Sequence, residues 1–472
     1  MEMNRGEFLK GGLAALGFMA LDGLPVLAAP AGWQPKKKPN LVFGILSDTH
    51  LQSGWDGVTP HKRFPHTYVM NAMKLFCERD IDAFMHLGDA AHRGKNVEVQ
   101  YHRDIFEKFF PNGKARDGRT VEKLVVVGNH ELYGNVAKGG GAWAPNIWKD
   151  PEERAKHVLC GDLRKHWDQV WGEKFEAVWH KEVKGYHFFG RHWNTKEMKL
   201  ANFINAKAEE YSLKGNKPFF ILSHRCNRQE CINALREFPN AISFSGHWHH
   251  SNADSKMIYF DSIGGIFPNI QVGACRMDGT NVLSPPDEIK IQEDPSSFKG
   301  PNLPSRQAMI VDVYDDMVVF ERHEVGEGGK LGPDWVLPLN WGTGRHPFSR
   351  EELKKAIGAP EFGKNAKLVV TVENPDTPLL RVTIPIADGN PDSRPYAYNV
   401  VVAGDDPKAR YFKSEYFSGV NSGVGHEPNN GVTTVDMPLS ELPVGKKLTI
   451  AVRPVSSLGA KGKSIGTTWT NT

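Results

Sequence analysis

Stretches of hydrophobic residues alternate with amphipathic stretches in the first two thirds of the chain. The hydrophobic stretches predict buried strands at residues 41–48, 81–89, 122–129, 217–224 and 241–250. Apolar residues at helical spacing predict helices at residues 66–80, 97–110 and 202–213. Strands that alternate with helices in this way predict an α/β layered fold.

A long segment interrupts this alternation. Residues 135–200 contain a run of three glycines, Gly139–Gly141, and six tryptophans. We expect an excursion with one or two helices that forms a wall beside the sheet edge, and we expect its tryptophans to pack more often than to bind a ligand. Further along, residues 309–322 predict a hairpin in which Asp315 and Asp316 form a two-residue turn.

The pattern changes again near the C-terminus. Residues 346–365 hold Gly, Pro and charged residues around one short helix, and we interpret them as a linker. Residues 366–472 contain short alternating strands separated by Pro, Gly and Asn, as in LVVTVEN, RVTIPI and KLTIAVRPV. Such a run predicts a small all-β sandwich domain.

The N-terminus has the order of a secretory signal peptide. Arg5 and Lys10 precede an apolar stretch, and the small residues Ala28, Ala29 and Ala31 follow it. We therefore interpret residues 1–31 as a signal peptide and predict an exported protein, periplasmic or extracellular. The alternative is an amphipathic helix of a cytosolic protein. The apolar stretch is too short to cross a bilayer, so we expect no transmembrane segment.

Charge and cysteine content limit which binding partners and which disulfide bonds we expect. The 472 residues carry 58 Lys and Arg against 55 Asp and Glu, a net charge of +3. This balance offers no strong attraction to nucleic acid, which we do not expect as a partner. Five cysteines are no disulfide scaffold in a chain of this length. Cys226 and Cys231 could pair after export, or remain two ordinary thiols.

Polar residues follow five of the predicted strands, at the point where each strand ends. They are Asp48 and His50, Asp89, Asn129 and His130, His224, and His247 and His249. The carboxyl ends of strands in an open α/β sheet form the ligand crevice. Five strands that end in this way predict one convergent site.

The residue types at these strand ends suit metal ions. Carboxylates, imidazoles and one amide oxygen are ligands for Zn, Fe or Mn, and no thiolate is among them. Two cations placed a few ångströms apart repel each other, so a carboxylate shared between them is favourable. Asp89 is the natural candidate for this bridge. Paired metals can polarise a phosphoryl oxygen and generate hydroxide near neutral pH.

The motifs Asp-x-His, Gly-Asp, Gly-Asn-His-Glu, a lone His after a strand and Gly-His-x-His occur in that order. Over roughly residues 40 to 340 this order resembles the calcineurin-like metallophosphoesterases. The resemblance implies a four-layer α/β/β/α sandwich at residues 38–345 and a metal-dependent phosphoric ester hydrolase, either a phosphatase or a phosphodiesterase. It also implies two divalent or trivalent metal ions (Mn, Fe or Zn) and a small phosphoester substrate, mono- or diester.

The resemblance further implies a role for each site residue. One metal ion would take Asp48, His50, Asp89 and His249, and the other would take Asp89, Asn129, His224 and His247. His130 would face the substrate as an acid or transition-state stabiliser.

Two further roles concern the neighbours of these residues. Glu131 would orient His130 from behind, or simply cap the following turn. In GDAAHRG, Arg93 matches the phosphate-contacting arginine of the protein serine/threonine phosphatases of this superfamily, while His92 replaces their aspartate. Arg93 and His92 are therefore candidate substrate contacts.

Other functions stay open from the sequence. The protein could be a non-catalytic exported surface-binding module with a vestigial metal site, although every expected ligand type is present. The same metal pair could also attack an acyl or sulfate group. The overall arrangement resembles bacterial secreted members of the superfamily, and the last strands resemble those of fibronectin type III-like domains.

Overall fold

The computed structural model describes most of the chain, in several separate ranges. The described residues are 37–53, 66–92, 94–133, 167–225, 229–249, 252, 257–259, 267–275, 306–326, 328–339, 348–349, 351–353, 358–373, 376–387, 395, 397–404, 410–417, 432–456 and 458–472. The predicted signal peptide, Arg93 and Cys226 lie outside them.

Helices and strands are numbered here in chain order. The helices are α1 (Thr67–Glu78), α2 (Asn96–Phe109), α3 (Asn129–Tyr133), α4 (Trp167–Trp171), α5 (Glu197–Lys207) and α6 (Gln229–Ala234). The strands up to residue 338 are β1 (Leu41–Leu46), β2 (Ala83–His86), β3 (Glu122–Val125), β4 (Val178–Val183), β5 (Tyr186–Arg191), β6 (Phe219–Ser223), β7 (Ala241–Ser245), β8 (Ile258–Tyr259), β9 (Asn269–Gln271), β10 (Gln307–Val313), β11 (Met317–Glu324) and β12 (Trp335–Pro338). The later strands are β13 (Val369–Glu373), β14 (Leu379–Pro385), β15 (Ala397–Ala403), β16 (Arg410–Phe417), β17 (Val432–Pro438), β18 (Lys447–Val455) and β19 (Ile465–Thr470).

Two six-stranded mixed sheets form the α/β part of the chain. Their strand orders are β12-β11-β10-β1-β2-β3 and β4-β5-β6-β7-β9-β8. Strands β1, β2 and β3 run parallel in the first sheet, and β5, β6, β7 and β9 run parallel in the second. The parallel strands end at one edge of each sheet, so each sheet presents its polar strand ends together.

Buried side chains on both sheets share one central cluster. Phe43 of β1 makes edge contacts with Phe188, Phe220 and Phe244 of the second sheet at ring-centroid distances of 5.5, 5.1 and 6.0 Å. Every residue of β1 is buried, which explains why this strand is apolar throughout and not alternating.

Helices pack against residues of both sheets. On α1, buried residues Val69, Ala72, Met73 and Phe76 follow the spacing of one helical face and pack with α2 and β1 residues in a second cluster. Residues of α5 and α6 pack against β5 and β6 in a third cluster. The mixed α/β fold predicted from the alternation is confirmed.

The two sheets of the C-terminal part are antiparallel. One has the order β13-β14-β17 and the other β16-β15-β18-β19. Val382 of the first sheet and Val400 and Ile450 of the second lie in a single buried cluster. An all-β C-terminal part agrees with these strands, while its fibronectin type III-like character stays a prediction. Phe348 and Leu353, which fall in the predicted linker, are buried in the central cluster of the α/β part.

Some local predictions are confirmed and others need correction. The hairpin of β10 and β11 has Asp315 and Asp316 at its turn, because Tyr314 N–H bonds the Met317 carbonyl oxygen at 2.9 Å. The region expected as a helical excursion contains the antiparallel pair β4 and β5 besides the short helix α4. The helix predicted at 202–213 begins at Glu197 and ends at Lys207. The strands β8, β9, β12, β16 and β19 fall where the sequence pattern predicts none.

Two further findings concern thiols and membranes. Cys231 is a free, buried thiol whose Sγ lies 3.7 Å from the Glu197 carbonyl oxygen, while its candidate partner Cys226 lies outside the described residues. Among the residues described above, no helix is long and apolar enough to cross a membrane.

Candidate metal centre

The loops after the parallel strands lie side by side and bond to each other through their backbones. Asp48 N–H donates to the Gly88 carbonyl oxygen at 3.0 Å, and His50 N–H donates to the Asp89 carbonyl oxygen at 2.9 Å. Gly88 has a φ of +96°, and a Cβ on it would meet the Gly128 backbone at 2.6 Å. Glycine is therefore needed where the loops after β2 and β3 approach each other.

Five of the predicted ligands have left-handed backbone conformations. Their φ values are 51° at Asp48, 43° at His50, 55° at Asp89, 75° at His247 and 54° at His249. Residues other than glycine adopt this region at a free-energy cost and do so where the surrounding structure holds them. The cluster of such residues at one sheet edge marks a constrained site.

One group of potential ligands consists of Asp48, His50 and His249, whose ligating atoms lie within 4.8 Å of one another. His249 Nε2 lies 3.0 Å from Asp48 Oδ1 and 3.2 Å from His50 Nε2. The other oxygen of Asp48 accepts hydrogen bonds from Ser47 Oγ at 2.5 Å and from His247 N at 2.9 Å. These two bonds hold the Asp48 carboxylate with Oδ1 toward the histidines.

A second group consists of Asp89, His224 and His247, again within 4.8 Å. His224 Nε2 lies 3.2 Å from Asp89 Oδ2, 3.0 Å from Asn129 Oδ1 and 3.2 Å from His247 Nδ1. His224 Nδ1 lies 2.7 Å from the Leu87 carbonyl oxygen. A carbonyl can only accept, so Nδ1 carries the proton and the lone pair of Nε2 in a neutral ring faces the cluster.

The electrostatics of the two groups favour positive charge. Asp48 and Asp89 are buried, which opposes ionisation, yet neighbouring histidines hold the pKa of both carboxyls well below the ordinary value. Burial alone would lower the pKa of His224, but the charge of Asp89 and its hydrogen bond raise it to about 9. A proton on this imidazole partly neutralises two buried carboxylates, a task that a cation can perform in its place.

The donor set fits metal binding. Five pairs of nitrogen and oxygen donors at the two groups are separated by 3.0 to 3.2 Å, and His50 Nε2 and Asp48 Oδ1 by 3.9 Å. Donors that share an ion at about 2.0–2.2 Å lie at roughly such separations, and a set of nitrogen and oxygen atoms without thiolate suits Zn, Mn or Fe. The seven predicted ligands are all brought together at this edge.

The acid candidate His130 lies beside the two groups. Its Nε2 is 3.9 Å from Asp89 Oδ2, and its backbone N–H donates to Asp89 Oδ1 at 2.8 Å. Its Nδ1 lies 2.8 Å from the carbonyl oxygen of His92. The imidazole of His92 is near as well, because ligating atoms of His50, His92 and His130 fall within 4.8 Å of one another.

The carboxylate of Glu131 binds backbone N–H groups of two loops, and the bond from Gly128 agrees with the cap that was one of its two expected roles. Its carboxylate accepts three backbone hydrogen bonds, from Asp89 N at 3.0 Å, Gly128 N at 2.7 Å and Ala91 N at 2.9 Å. His130 Nδ1 has the His92 carbonyl oxygen as a partner. Glu131 therefore joins the loops after β2 and β3, and backbone atoms hold the His130 ring.

Trp193 is a residue near the centre that the sequence did not single out among the tryptophans. Its ring lies 5.6 Å from the ring of His224 and 5.4 Å from the ring of His247, measured between centroids. This contact agrees with the expectation that residues 135–200 form a wall beside the site. No motif in the sequence distinguishes Trp193, because the contact depends on the path of the chain after β5.

Residues 41–251 match the family model of the calcineurin-like phosphoesterases. The match includes all seven predicted ligands and confirms, for this segment, the resemblance drawn from the motifs. No sequence match was found among curated proteins.

Solved structures show partial similarity. A dimetal phosphatase from Danio rerio is 12% identical, with 64% of this chain and 100% of that chain covered and a TM-score of 0.35. The purple acid phosphatase PPD1 from yellow lupin (Lupinus luteus) is 12% identical, with a TM-score of 0.38, and the match covers 64% of this chain but only 55% of the lupin chain. An uncharacterised protein from Streptococcus pneumoniae, described as a predicted phosphoesterase, is 11% identical over 63% of this chain and 97% of that chain, with a TM-score of 0.26.

Proposed function

Because residues 41–251 match the calcineurin-like phosphoesterase family, we propose that the protein hydrolyses small phosphoesters with two metal ions. The observation that carries the proposal is the pair of adjacent ligand groups, Asp48–His50–His249 and Asp89–His224–His247. They are directly connected, since the backbone N–H of His247 in one group donates to the Asp48 carboxylate of the other at 2.9 Å.

The chain supplies ligands for each ion. Asp48, His50 and His249 would hold one ion, and His224, His247 and Asn129 the other, with Asp89 between them. A bound pair of Mn, Fe or Zn ions would supply Lewis-acid stabilisation of the phosphoryl oxygens and a source of hydroxide near neutral pH. The protein's part is to fix these ligands before binding, through the Ser47, Leu87 and backbone contacts behind them.

We assign proton transfer to His130. The His92 carbonyl oxygen accepts from Nδ1–H at 2.8 Å and fixes the ring, so Nε2 is the atom available to substrate. A protonated Nε2 can donate to the oxygen of the leaving group as its bond to phosphorus breaks. His92 stands beside it as a candidate contact for phosphoryl oxygens, and Arg93 remains the second such candidate. Glu131 acts by holding the loops that carry Asp89 and His130.

The remaining assignments of the proposal concern architecture and location. The three buried clusters, one between the sheets and one on each outer side, support a four-layer α/β/β/α arrangement over residues 38–345. The cluster shared by the two C-terminal sheets supports a β-sandwich after the linker. The charged, apolar and small-residue order of residues 1–31 supports export.

The test is hydrolysis by the full-length protein after reconstitution with Mn, Zn or Fe. We expect release of p-nitrophenol from p-nitrophenyl phosphate or from its bis-p-nitrophenyl diester, and the ratio of the two rates separates monoesterase from diesterase. A protein with full metal content that cleaves neither ester would instead support the non-catalytic binding module.

A further inference from the structure

A cavity of about 420 Å³ lies next to the metal centre. Its walls come from the chain after β5, from the loop after β6 and from the start of α6, and they include Arg191, Trp193, Lys196, Met198, Arg225 and Glu230. A volume of this size lies in the ~300–1,000 Å³ range of small-molecule sites, well above the space that a phosphate group needs.

Trp193 forms the wall that the cavity shares with the metal centre. The same indole that lines the cavity contacts the rings of His224 and His247. Its backbone is fixed, because Trp193 N–H donates to the Val127 carbonyl oxygen at 3.0 Å, two residues before Asn129. A group bound in the cavity therefore lies against the same indole that contacts two of the proposed metal ligands.

The cavity offers both an apolar surface and positive charge. Trp193 and Met198 supply the apolar part. The guanidinium group of Arg225 lies 5.2 Å from the ring of Trp248, a residue between two proposed ligands. Arg225 and Lys196 are both exposed cations at the cavity. Arg191 is buried, and its Nη2 lies 3.9 Å from Glu197 Oε1.

We propose that this cavity receives the leaving group of the substrate, and that this leaving group is a nucleotide. The proposal rests on the phosphoesterase function proposed above. A nucleotide combines a flat ring for Trp193, hydroxyl groups that can donate to the Glu230 carboxylate, and an anionic group for Arg225 and Lys196. Stacking of a base on an aromatic side chain contributes about 1–3 kcal/mol.

A nucleoside diphosphate illustrates the reaction. Water supplies the oxygen that bonds to the terminal phosphorus, and the bond from that phosphorus to the bridging oxygen breaks. The leaving nucleoside monophosphate keeps the electron pair of that bond and takes a proton from His130, while the attacking water releases one proton, which restores the protonated His130 or passes to solvent. The products are inorganic phosphate and the monophosphate, which is the group placed in the cavity.

The experiment uses the metal-loaded full-length protein with the variants Trp193→Leu and Arg225→Gln. Lys199→Gln is the matched control, because Lys199 is an exposed cation on α5 and does not line the cavity. Three quantities are measured for each protein: kcat/KM for ADP, kcat/KM for glycerol phosphate, whose leaving group is small and uncharged, and the Kd of AMP by calorimetry. Metal content is determined in every preparation.

We expect each cavity variant to lower kcat/KM for ADP by about tenfold more than kcat/KM for glycerol phosphate, the scale of one lost stacking or charged contact. The Kd of AMP should rise by a similar factor at unchanged metal content, and Lys199→Gln should alter none of these. Equal losses for both esters, or an AMP affinity that is absent or unaffected by the variants, would overturn the proposal.

The AMP measurement also separates the two proposals. If no ester is hydrolysed but AMP binds wild type and loses affinity in Trp193→Leu and Arg225→Gln, the hydrolase proposal fails while the cavity assignment stands. If esters are hydrolysed and the Kd of AMP is the same in wild type and both cavity variants, the cavity assignment alone fails.

Discussion

The carboxylate of Glu131 accepts a hydrogen bond from the backbone N–H of Asp89, with 3.0 Å between Oε2 and nitrogen. Asp89 is the residue proposed to lie between the two ions, and Glu131 is 98% buried behind it. Burial and the charge of Asp89 raise the pKa of Glu131 to about 7. The backbone bonds of this side chain tie together the two loops that carry Asp89 and His130.

Replacing Glu131 should therefore weaken the metal centre as a whole. Glu131→Ala leaves three buried N–H groups without their acceptor, at about 1–3 kcal/mol for each group that stays unsatisfied. We expect a lower melting temperature and a loss of metal content together with activity. Glu78→Ala, which removes only an exposed ion pair with Lys74, serves as the control and should change neither. A Glu131→Ala protein with normal stability and full metal, defective only in turnover, would contradict this account and favour the role in which Glu131 orients His130.

Gly128 should be irreplaceable for a steric reason. A Cβ at this position would collide with the carboxylate and the backbone nitrogen of Asp89. Gly128→Ala should displace Asp89 and reduce metal affinity by at least about tenfold, the scale reported for changes behind metal ligands. Gly215→Ala is the comparison, because a Cβ there meets no atom within 4 Å. Metal titrations of both variants measure the difference. Equal affinities would contradict this prediction, because they would show that the loop can shift without loss of metal affinity.

The strand ends could be predicted from the sequence because hydrophobic runs and the polar residues after them are local signals. β1, β2, β6 and β7 all appear where their apolar residues placed them. The partner of His130 Nδ1 is a backbone oxygen, and a backbone atom leaves no trace in residue identity. The β4–β5 pair and the position of Trp193 depend on tertiary packing of a Trp-rich segment whose periodicity is weak.

Substitutions of His130 and of Asp89 should have different effects, one on turnover and the other on metal content. His130→Ala removes the proposed acid and should leave metal content intact while turnover of esters with poor leaving groups falls by ~10²–10⁴. Asp89→Ala removes the shared carboxylate and should lose metal. Elemental analysis and turnover on the same preparations decide this. If His130→Ala lost its metals, the division between ligand and acid would be wrong.

Arg79 joins two buried carboxylates whose pKa values move in opposite directions. Burial raises the pKa of Asp312 to about 6. Burial would also raise the pKa of Glu321, but hydrogen bonds from His323 and Arg79 and the charge of Arg79 outweigh it and lower that pKa to about 2. A raised carboxyl pKa stabilises the fold below its ordinary value near 4, and this contribution is lost as the pH rises through about 6.

As the pH rises from 4 to 8, the free energy of unfolding of Asp312→Asn should therefore increase relative to that of wild type. The relative gain should be on the order of 2 kcal/mol, from a pKa shift of about two units. Glu321→Gln should instead be destabilised at pH 8, because the lowered pKa of Glu321 stabilises the fold above its ordinary value. Thermal unfolding of both variants and wild type across this pH range is the measurement. A pH-independent difference for Asp312→Asn would contradict the shared-guanidinium account.

The most direct test of the metal centre is anomalous X-ray diffraction from crystals of the full-length protein loaded with Mn or Zn. We predict two anomalous peaks, one among Asp48, His50 and His249 and the other among Asn129, His224 and His247, with Asp89 contacting both. A single peak elsewhere, or no peak at these residues in protein saturated with metal, would contradict the account.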